Sequence, residues 1–262
     1  MNFAPTSRPH VPPTVLLRQV DKVFGNGTAA LQGVDLSVGT GEFLSLVGPS
    51  GCGKSTILSL VAGLTTPTRG ELLWSDPALR QELAFVFQDA ALLPWGTVRD
   101  NVRLPLKLMG RDRGAEADRA VAEAIALVGL EGFETAFPRE LSGGMRMRVS
   151  IARAVVAQPK VVLMDEPFGA LDEITRNQLN EEVMQLWLKK SWTALFVTHN
   201  IYEAVYLSSR VVVMGAKPGR IVADVSIDAP FPRTEQFRRS SEFAAYRDRL
   251  TDALADGMAG RL

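Results

Sequence analysis

The sequence comprises 262 residues, 46% hydrophobic and 22% charged, a balance that fits a globular chain and excludes a disordered one. Its 29 basic and 29 acidic residues cancel, so it lacks the basic excess of a nucleic-acid-binding domain. A single cysteine excludes an intrachain disulfide, and no window approaches the apolar length of a membrane-spanning helix.

Residues 1–14 carry prolines at positions 5, 9, 12 and 13 and no apolar segment that could act as a signal peptide. They read as a disordered leader on a cytoplasmic protein. Val15–Val20, Val34–Val38 and Phe43–Val47 read as strands, the last a continuous apolar run of the kind buried on both faces. Leu83–Phe87, Val161–Met164, Ala194–Val197 and Val211–Met214 are further buried strands. Between them, Ala117–Val128 sets Val121, Ala124, Ile125 and Val128 on one helical face. From about 90 to 155 there is no strong strand signal, which predicts a helical insertion. Residues 229–262 are Arg-rich and helical over Glu242–Leu254, a peripheral appendage. Strands alternating with helices predict an α/β fold with a mainly parallel sheet, and there is no internal repeat.

Directly after Phe43–Val47 the chain reads Gly48-Pro49-Ser50-Gly51-Cys52-Gly53-Lys54-Ser55-Thr56, then the helix-like Ile57–Ala62. This is the phosphate-binding loop pattern in the setting it requires: strand, loop, helix. Its glycines let successive backbone N–H groups turn inward on an anion, and the helix adds its positive end. Lys54 supplies a charge to the outer phosphates and the Ser55 hydroxyl is placed to ligate Mg²⁺. Nucleotide binding follows. Cys52 sits at a helix N-terminus, where a thiol can be activated, but it reads more simply as a small side chain filling the loop. Its alkylation is expected to block hydrolysis sterically, with MgATP protecting it.

Val161–Met164 runs into Asp165-Glu166-Pro167, delivering two adjacent acids to the C-terminal edge of a sheet, where open α/β sheets bind ligands. Adjacent residues point in different directions, so Asp165 can serve the metal while Glu166 faces the attacking water as base or positioner.

With these residues the chain resembles the ATP-binding subunit of an ABC transporter, over about residues 15–225. Leu141-Ser142-Gly143-Gly144-Met145 resembles the family's signature sequence and precedes the helix Arg146–Ala157. Ser142, Gly143 and Gly144 offer a hydroxyl and backbone amides to a second anion site. Gln88 matches the Q-loop, Ala170-Leu171-Asp172 the D-loop, His199 the switch histidine, and Phe24 the aromatic that stacks on adenine. Two departures stand out: Met145, where the family's signature ends in Gln, with Met147 beyond it, and Asn200, where Asp usually follows the histidine.

The resemblance implies a P-loop NTPase (RecA-like) core with an antiparallel β subdomain and a helical insertion, spanning residues 15–228. It implies ATP and Mg²⁺ as ligands, with Ser55, Gln88 and Asp165 setting the metal, Glu166 aligning water and His199 reaching the γ-phosphate. It further implies a homodimer in which Ser142–Gly144 of one subunit close the site of the other. Integral membrane permease subunits, and a periplasmic or lipid-anchored solute-binding protein, complete the implied assembly on the cytoplasmic face of the bacterial inner membrane. Leu92-Leu93-Pro94-Trp95, the Met-ended signature and Ala216-Lys217-Pro218-Gly219-Arg220-Ile221 resemble the bacterial importers of nitrate, aliphatic sulfonates, taurine or bicarbonate, and importers of thiamine precursors look similar. Leu93, Pro94 and Trp95 read equally as core packing or as part of the groove that takes the permease's coupling helix. The alternative is a soluble ABC ATPase of DNA repair or translation, but neither a long heptad run nor a second phosphate loop is present. A P-loop kinase or GTPase would leave Ser142–Gly144 and His199 without a role.

Overall fold

Residues 13–258 are described by a computed structural model of the chain. Two long strands come first, β1 (Pro13–Val23) and β2 (Ala29–Gly39), joined by a tight turn in which Phe24 and Thr28 bond through their backbones. β3 (Phe43–Val47) leads through residues 48–53 into helix α1 (Lys54–Val61). After β4 (Arg69–Trp74) and β5 (Leu83–Val86) come three helices: α2 (Val98–Leu108), α3 (Ala115–Leu127) and α4 (Gly143–Val155). Strands and helices then alternate as β6 (Val161–Asp165), α5 (Glu173–Lys190), β7 (Thr193–Thr198), α6 (Ile201–Leu207) and β8 (Arg210–Gly215). β9 (Arg220–Ser226), α7 (Glu235–Arg238) and α8 (Ser241–Met258) follow.

Six strands form one sheet in the order β5-β6-β7-β3-β8-β9, parallel except for β9 at the edge. A second, antiparallel sheet has the order β2-β1-β4. The main sheet is covered on both faces, which is why its central strands β3, β6 and β7 are apolar at nearly every position rather than at alternate ones. Phe43 and Val47 of β3 join the core under the helical insertion, α5, α6 and α8, while Leu44 and Leu46 join the core under α1 and the antiparallel sheet. β6 repeats the alternation, Val162 and Met164 to the first core, Val161 and Leu163 to the second. β7 does the same with Ala194 and Phe196 against Leu195 and Val197. Each fully buried Leu, Val or Phe contributes about 1.5–3 kcal/mol, so these central strands hold the site's scaffold rigidly.

The α/β class, the parallel sheet, the antiparallel subdomain and the helices between β5 and β6 agree with the sequence. Two strands were not anticipated, β4 and β9. Both lie at sheet edges, β4 mostly exposed and β9 mostly half-buried, so neither carries an unbroken apolar run. Helix α5 also escapes a periodicity reading, because Asn180 is buried beside Leu179 and Val183 and blurs its apolar stripe. Pro13 and Thr14, expected in the leader, open β1, and the Thr14 side chain is buried against Thr40 and Thr193. The rest of that expected leader, and residues 259–262, lie outside the described residues. Residues 229–258, expected as a peripheral appendage, instead pack into the core, with Phe243 and Leu250 of α8 buried.

Candidate active site

Four neighbouring parallel strands, β5, β6, β7 and β3, bring their C-terminal ends to one edge of the sheet. Gln88 lies two residues past β5, Asp165 and Glu166 at the end of β6, His199 one residue past β7, and the loop 48–53 follows β3. Residues more than a hundred positions apart in sequence therefore converge because parallel strands must all end on the same side.

The loop closes on itself through the Cys52 N–H to the Pro49 carbonyl at 3.3 Å, and its exit into α1 depends on glycine. Gly53 caps α1 with φ +94, a left-handed conformation, and a Cβ there would also meet the Ala30 carbonyl at 2.9 Å, so only glycine fits. No side chain caps α1, which leaves its first N–H groups and the positive end of its dipole for an anion. Lys54 is buried along its stem, and its Nζ donates to the carbonyls of Gly48 (2.9 Å) and Pro49 (3.1 Å). The ammonium is thereby folded over the loop, 3.8 Å from Glu166 Oε1. Pro49, Ser50, Gly51 and Thr56 lie on the same loop and first helical turn. The 216–221 segment is bonded to β2 and passes against the loop: Gly219 N donates to the Ala30 carbonyl and its own carbonyl accepts from Gln32 N, both at 3.0 Å, and a Cβ on Gly219 would collide with the Cys52 carbonyl.

Cys52 corrects an expectation. Its side chain is wholly buried in the core beneath the loop, and burial pushes the thiol above its ordinary value of 9.0. The helix N-terminus does not activate it, and reagents cannot reach it without opening the loop, so the expected steric block by alkylation does not follow.

The acids are differentiated by environment. Asp165 accepts a hydrogen bond from Ser55 Oγ at 2.9 Å, and burial, partly opposed by that bond, raises its pKa. Glu166 occupies φ +45, an uncommon conformation for a residue with a side chain, held by its N–H to the Val197 carbonyl (2.9 Å) and its carbonyl to Gly169 N (3.1 Å). Its Oε2 is 2.9 Å from His199 Nδ1. Gln88 Nε2 approaches the same turn at Gly169. Ser55, Asp165 and Gln88 offer only hydroxyl, carboxylate and amide groups, a hard oxygen set of the kind Mg²⁺ takes. By donating its proton to Asp165, Ser55 keeps its lone pairs free for a cation.

Ser142–Gly144 sit at the start of α4, where Gly143 shares a cavity with Gln88, Pro167 and Ala170. Ser142 caps α4 by accepting from Met145 N (3.2 Å), and the neighbours of the glycines are Leu171 and Thr175 at the start of α5. A Cβ on Gly144 would lie 2.6 Å from Thr175, which explains the glycine there. Phe24 sits in the β1–β2 turn, 42% exposed, with the Lys22 ammonium 5.3 Å from its ring. Sequence reasoning missed Arg153 on α4, whose guanidinium donates to the Ala90 (2.7 Å) and Ala91 (2.8 Å) carbonyls and so ties the loop of Gln88 to the helix that starts at Gly143. It also missed Arg176 and Glu203, whose pairing depends on tertiary structure and leaves no local signal.

This fold and edge define a P-loop ATPase with the ABC arrangement of motifs. Residues 31–169 match the sequence profile of the ABC transporter family, and the chain belongs to that family. It is similar to an uncharacterised ABC transporter ATP-binding protein of Methanocaldococcus jannaschii, at 46% identity over 92% of this chain and 91% of that one. It is likewise similar to the aliphatic sulfonates import ATP-binding protein of Bacillus licheniformis, 43% identical over 89% of this chain and 91% of that one. Among solved structures, a dimeric ATP-binding cassette bound to ADP and Pi in a post-hydrolysis state is 33% identical. It covers 82% of this chain and 100% of its own with a TM-score of 0.71.

Proposed function

We propose that this ABC ATPase energises a membrane importer for a small anionic or zwitterionic solute such as an aliphatic sulfonate, taurine or nitrate. The convergence of the loop 48–53, Asp165–Glu166 and His199 on one sheet edge carries the ATPase part of this reading. The importer part draws on the sulfonate-import relative, which also weighs against a soluble ATPase of DNA repair or translation.

In this reading Lys54 exchanges its bonds to Gly48 and Pro49 for the outer phosphates of ATP, and the amides at the start of α1 hold the phosphate oxygens. Phe24 stacks on the base. Ser55, Asp165 and Gln88 would hold Mg²⁺, which when bound would neutralise charge on the phosphates. Glu166 orients a water for in-line attack on the γ-phosphorus and accepts its proton as the bond to the leaving ADP oxygen breaks. His199, oriented by Glu166, contacts the γ-phosphate.

Ser142–Gly144, at the N-terminal end of α4, close the site of a second copy, so each subunit holds half of each site and two copies pair head to tail. The dimeric solved relative supports that arrangement. Closure and opening of the dimer would drive permease subunits, with a solute-binding protein delivering cargo. Among the described residues no helix is long and apolar enough to cross a membrane; in this reading the membrane path belongs to separate permease subunits and this chain works at the cytoplasmic face. Trp95, 75% exposed beside the loop of Gln88, is offered as part of the permease groove.

Deleting the gene and supplying an alkanesulfonate, taurine or nitrate as sole sulfur or nitrogen source tests the reading. Growth should fail on one of them and return with the intact gene but not with Glu166→Gln. Unimpaired growth on all three would overturn the importer assignment.

A further inference from the structure

One buried carboxylate has no part in the chemistry above. Glu203, on α6, is 5% exposed. Its Oε2 accepts a hydrogen bond from the Thr198 hydroxyl, on the residue just before His199. The same hydroxyl oxygen accepts from Asn200 N, just after it, at 3.0 Å. The two residues that flank the histidine are therefore clamped together, and Glu203 sets the clamp. The other carboxylate oxygen, Oε1, pairs with Arg176 Nε at 3.5 Å.

Arg176, in the first turns of α5, reaches back to the segment that follows Glu166. It donates through Nη2 to the Leu171 carbonyl (2.7 Å) and through Nε to that of Phe168 (3.3 Å). That segment is closed onto Glu166 by the Gly169 N–H at 3.1 Å. The contacts form a ring: Glu166 to His199, the clamp on either side of His199 to Glu203, Glu203 to Arg176, Arg176 to residues 168–171, and these back to Glu166. Burying a charged pair is costly, and its return is a fixed geometry more than stability.

We infer that Glu203 and Arg176 are positioning residues, which hold His199 in register with Glu166 and carry any displacement of residues 168–171, the stretch that leads into Asp172, to the histidine. Neither touches the nucleotide; both act through His199. Their role depends on the functions proposed above for Glu166 and His199.

The test compares Glu203→Gln, which keeps an acceptor for Thr198 but removes the charge, with the intact chain, each also carrying His199→Ala. Turnover, KM for ATP and nucleotide affinity are measured on the full-length protein. Glu203→Gln should lower kcat on the order of tenfold with KM and affinity unchanged. In the His199→Ala background it should lower kcat no further. An equal loss in both backgrounds, or no loss in the single variant, overturns the pair's role while leaving that of His199 intact. Full turnover in His199→Ala alone overturns the histidine's role and the pair's together. Should Glu203→Gln fail to fold, Arg176→Lys, which keeps the charge but loses the two-pronged grip on residues 168 and 171, carries the same comparison.

Discussion

Glu166 Oε2 and His199 Nδ1 stand 2.9 Å apart across the ends of two neighbouring parallel strands. The contact joins a carboxylate held in an uncommon backbone conformation to a ring in open reach of solvent, and such conformations cost about 1–3 kcal/mol where surrounding structure enforces them. Glu166→Gln keeps the backbone and the hydrogen-bonding shape but removes the basic oxygen. ATP binding should persist, an ATP-bound dimer should accumulate, and turnover should fall by about 10² or more. Phosphate release and gel filtration with ATP check this; full residual turnover would refute the role.

Lys54 is buried and bonded to two loop carbonyls, so the loop is shaped around it. Replacing it with Ala removes the charge that faces the phosphates and leaves those carbonyls without their donor. Charged hydrogen bonds of this kind contribute about 1.5–3 kcal/mol, so nucleotide affinity should weaken about 10- to 100-fold. Titration with a fluorescent ATP analogue measures it, and unchanged affinity would remove Lys54 from the site.

The edge was largely legible because the phosphate loop, the acid pair and His199 each sit where a buried strand ends, and a buried strand announces itself as an apolar run. Phe43–Val47 before Gly48 and Val161–Met164 before Asp165 are the clearest cases. The edge strands β4 and β9 and helix α5 were not legible, since partial exposure or a buried Asn180 breaks the pattern. The positioning groups stayed hidden for another reason. Arg153 meets Ala90, and Arg176 meets Glu203, only after strands distant in sequence have paired, so no spacing rule reports them.

The buried Cys52 thiol sets a pH dependence whose sign is fixed. Its folded pKa lies above 9.0, so above that pH the unfolded chain loses a proton that the folded chain keeps. The unfolded state then binds fewer protons, and stability falls as pH rises, by up to about 1.4 kcal/mol per pH unit until the folded thiol also ionises. Cys52→Ala should lose less stability than the parent between pH 8 and 10 in urea unfolding. Iodoacetamide at pH 8 should label the folded parent only at its opening rate, and fast stoichiometric labelling of the folded protein would contradict the burial.

Arg233 gives the strongest stability prediction. It is 2% exposed, and its Nη1 donates to the carbonyls of Val205 (2.6 Å), Tyr206 (3.2 Å) and Ser208 (2.8 Å). These are the carbonyls at the C-terminal end of α6, which have no partner within the helix. Nη2 donates to Ile227 and Ala229, both at 3.2 Å, and the guanidinium lies 4.1 Å from the Phe231 ring centre. Burial pulls its pKa down to about 10, so it stays charged at neutral pH, favourably placed at the negative end of the helix dipole. One side chain thus fastens the segment after β9 to the helix that begins just after His199. Arg233→Met fills a similar volume but strands several buried carbonyls, at about 1–3 kcal/mol each, so the variant should lose at least about 3 kcal/mol in urea unfolding. Lysine, with one nitrogen, can serve one cluster of carbonyls and not both, so Arg233→Lys should recover only part of the loss. A deficit below about 1 kcal/mol in Arg233→Met would mean that water replaces the guanidinium, and that α6 does not depend on it for its closed C-terminal end.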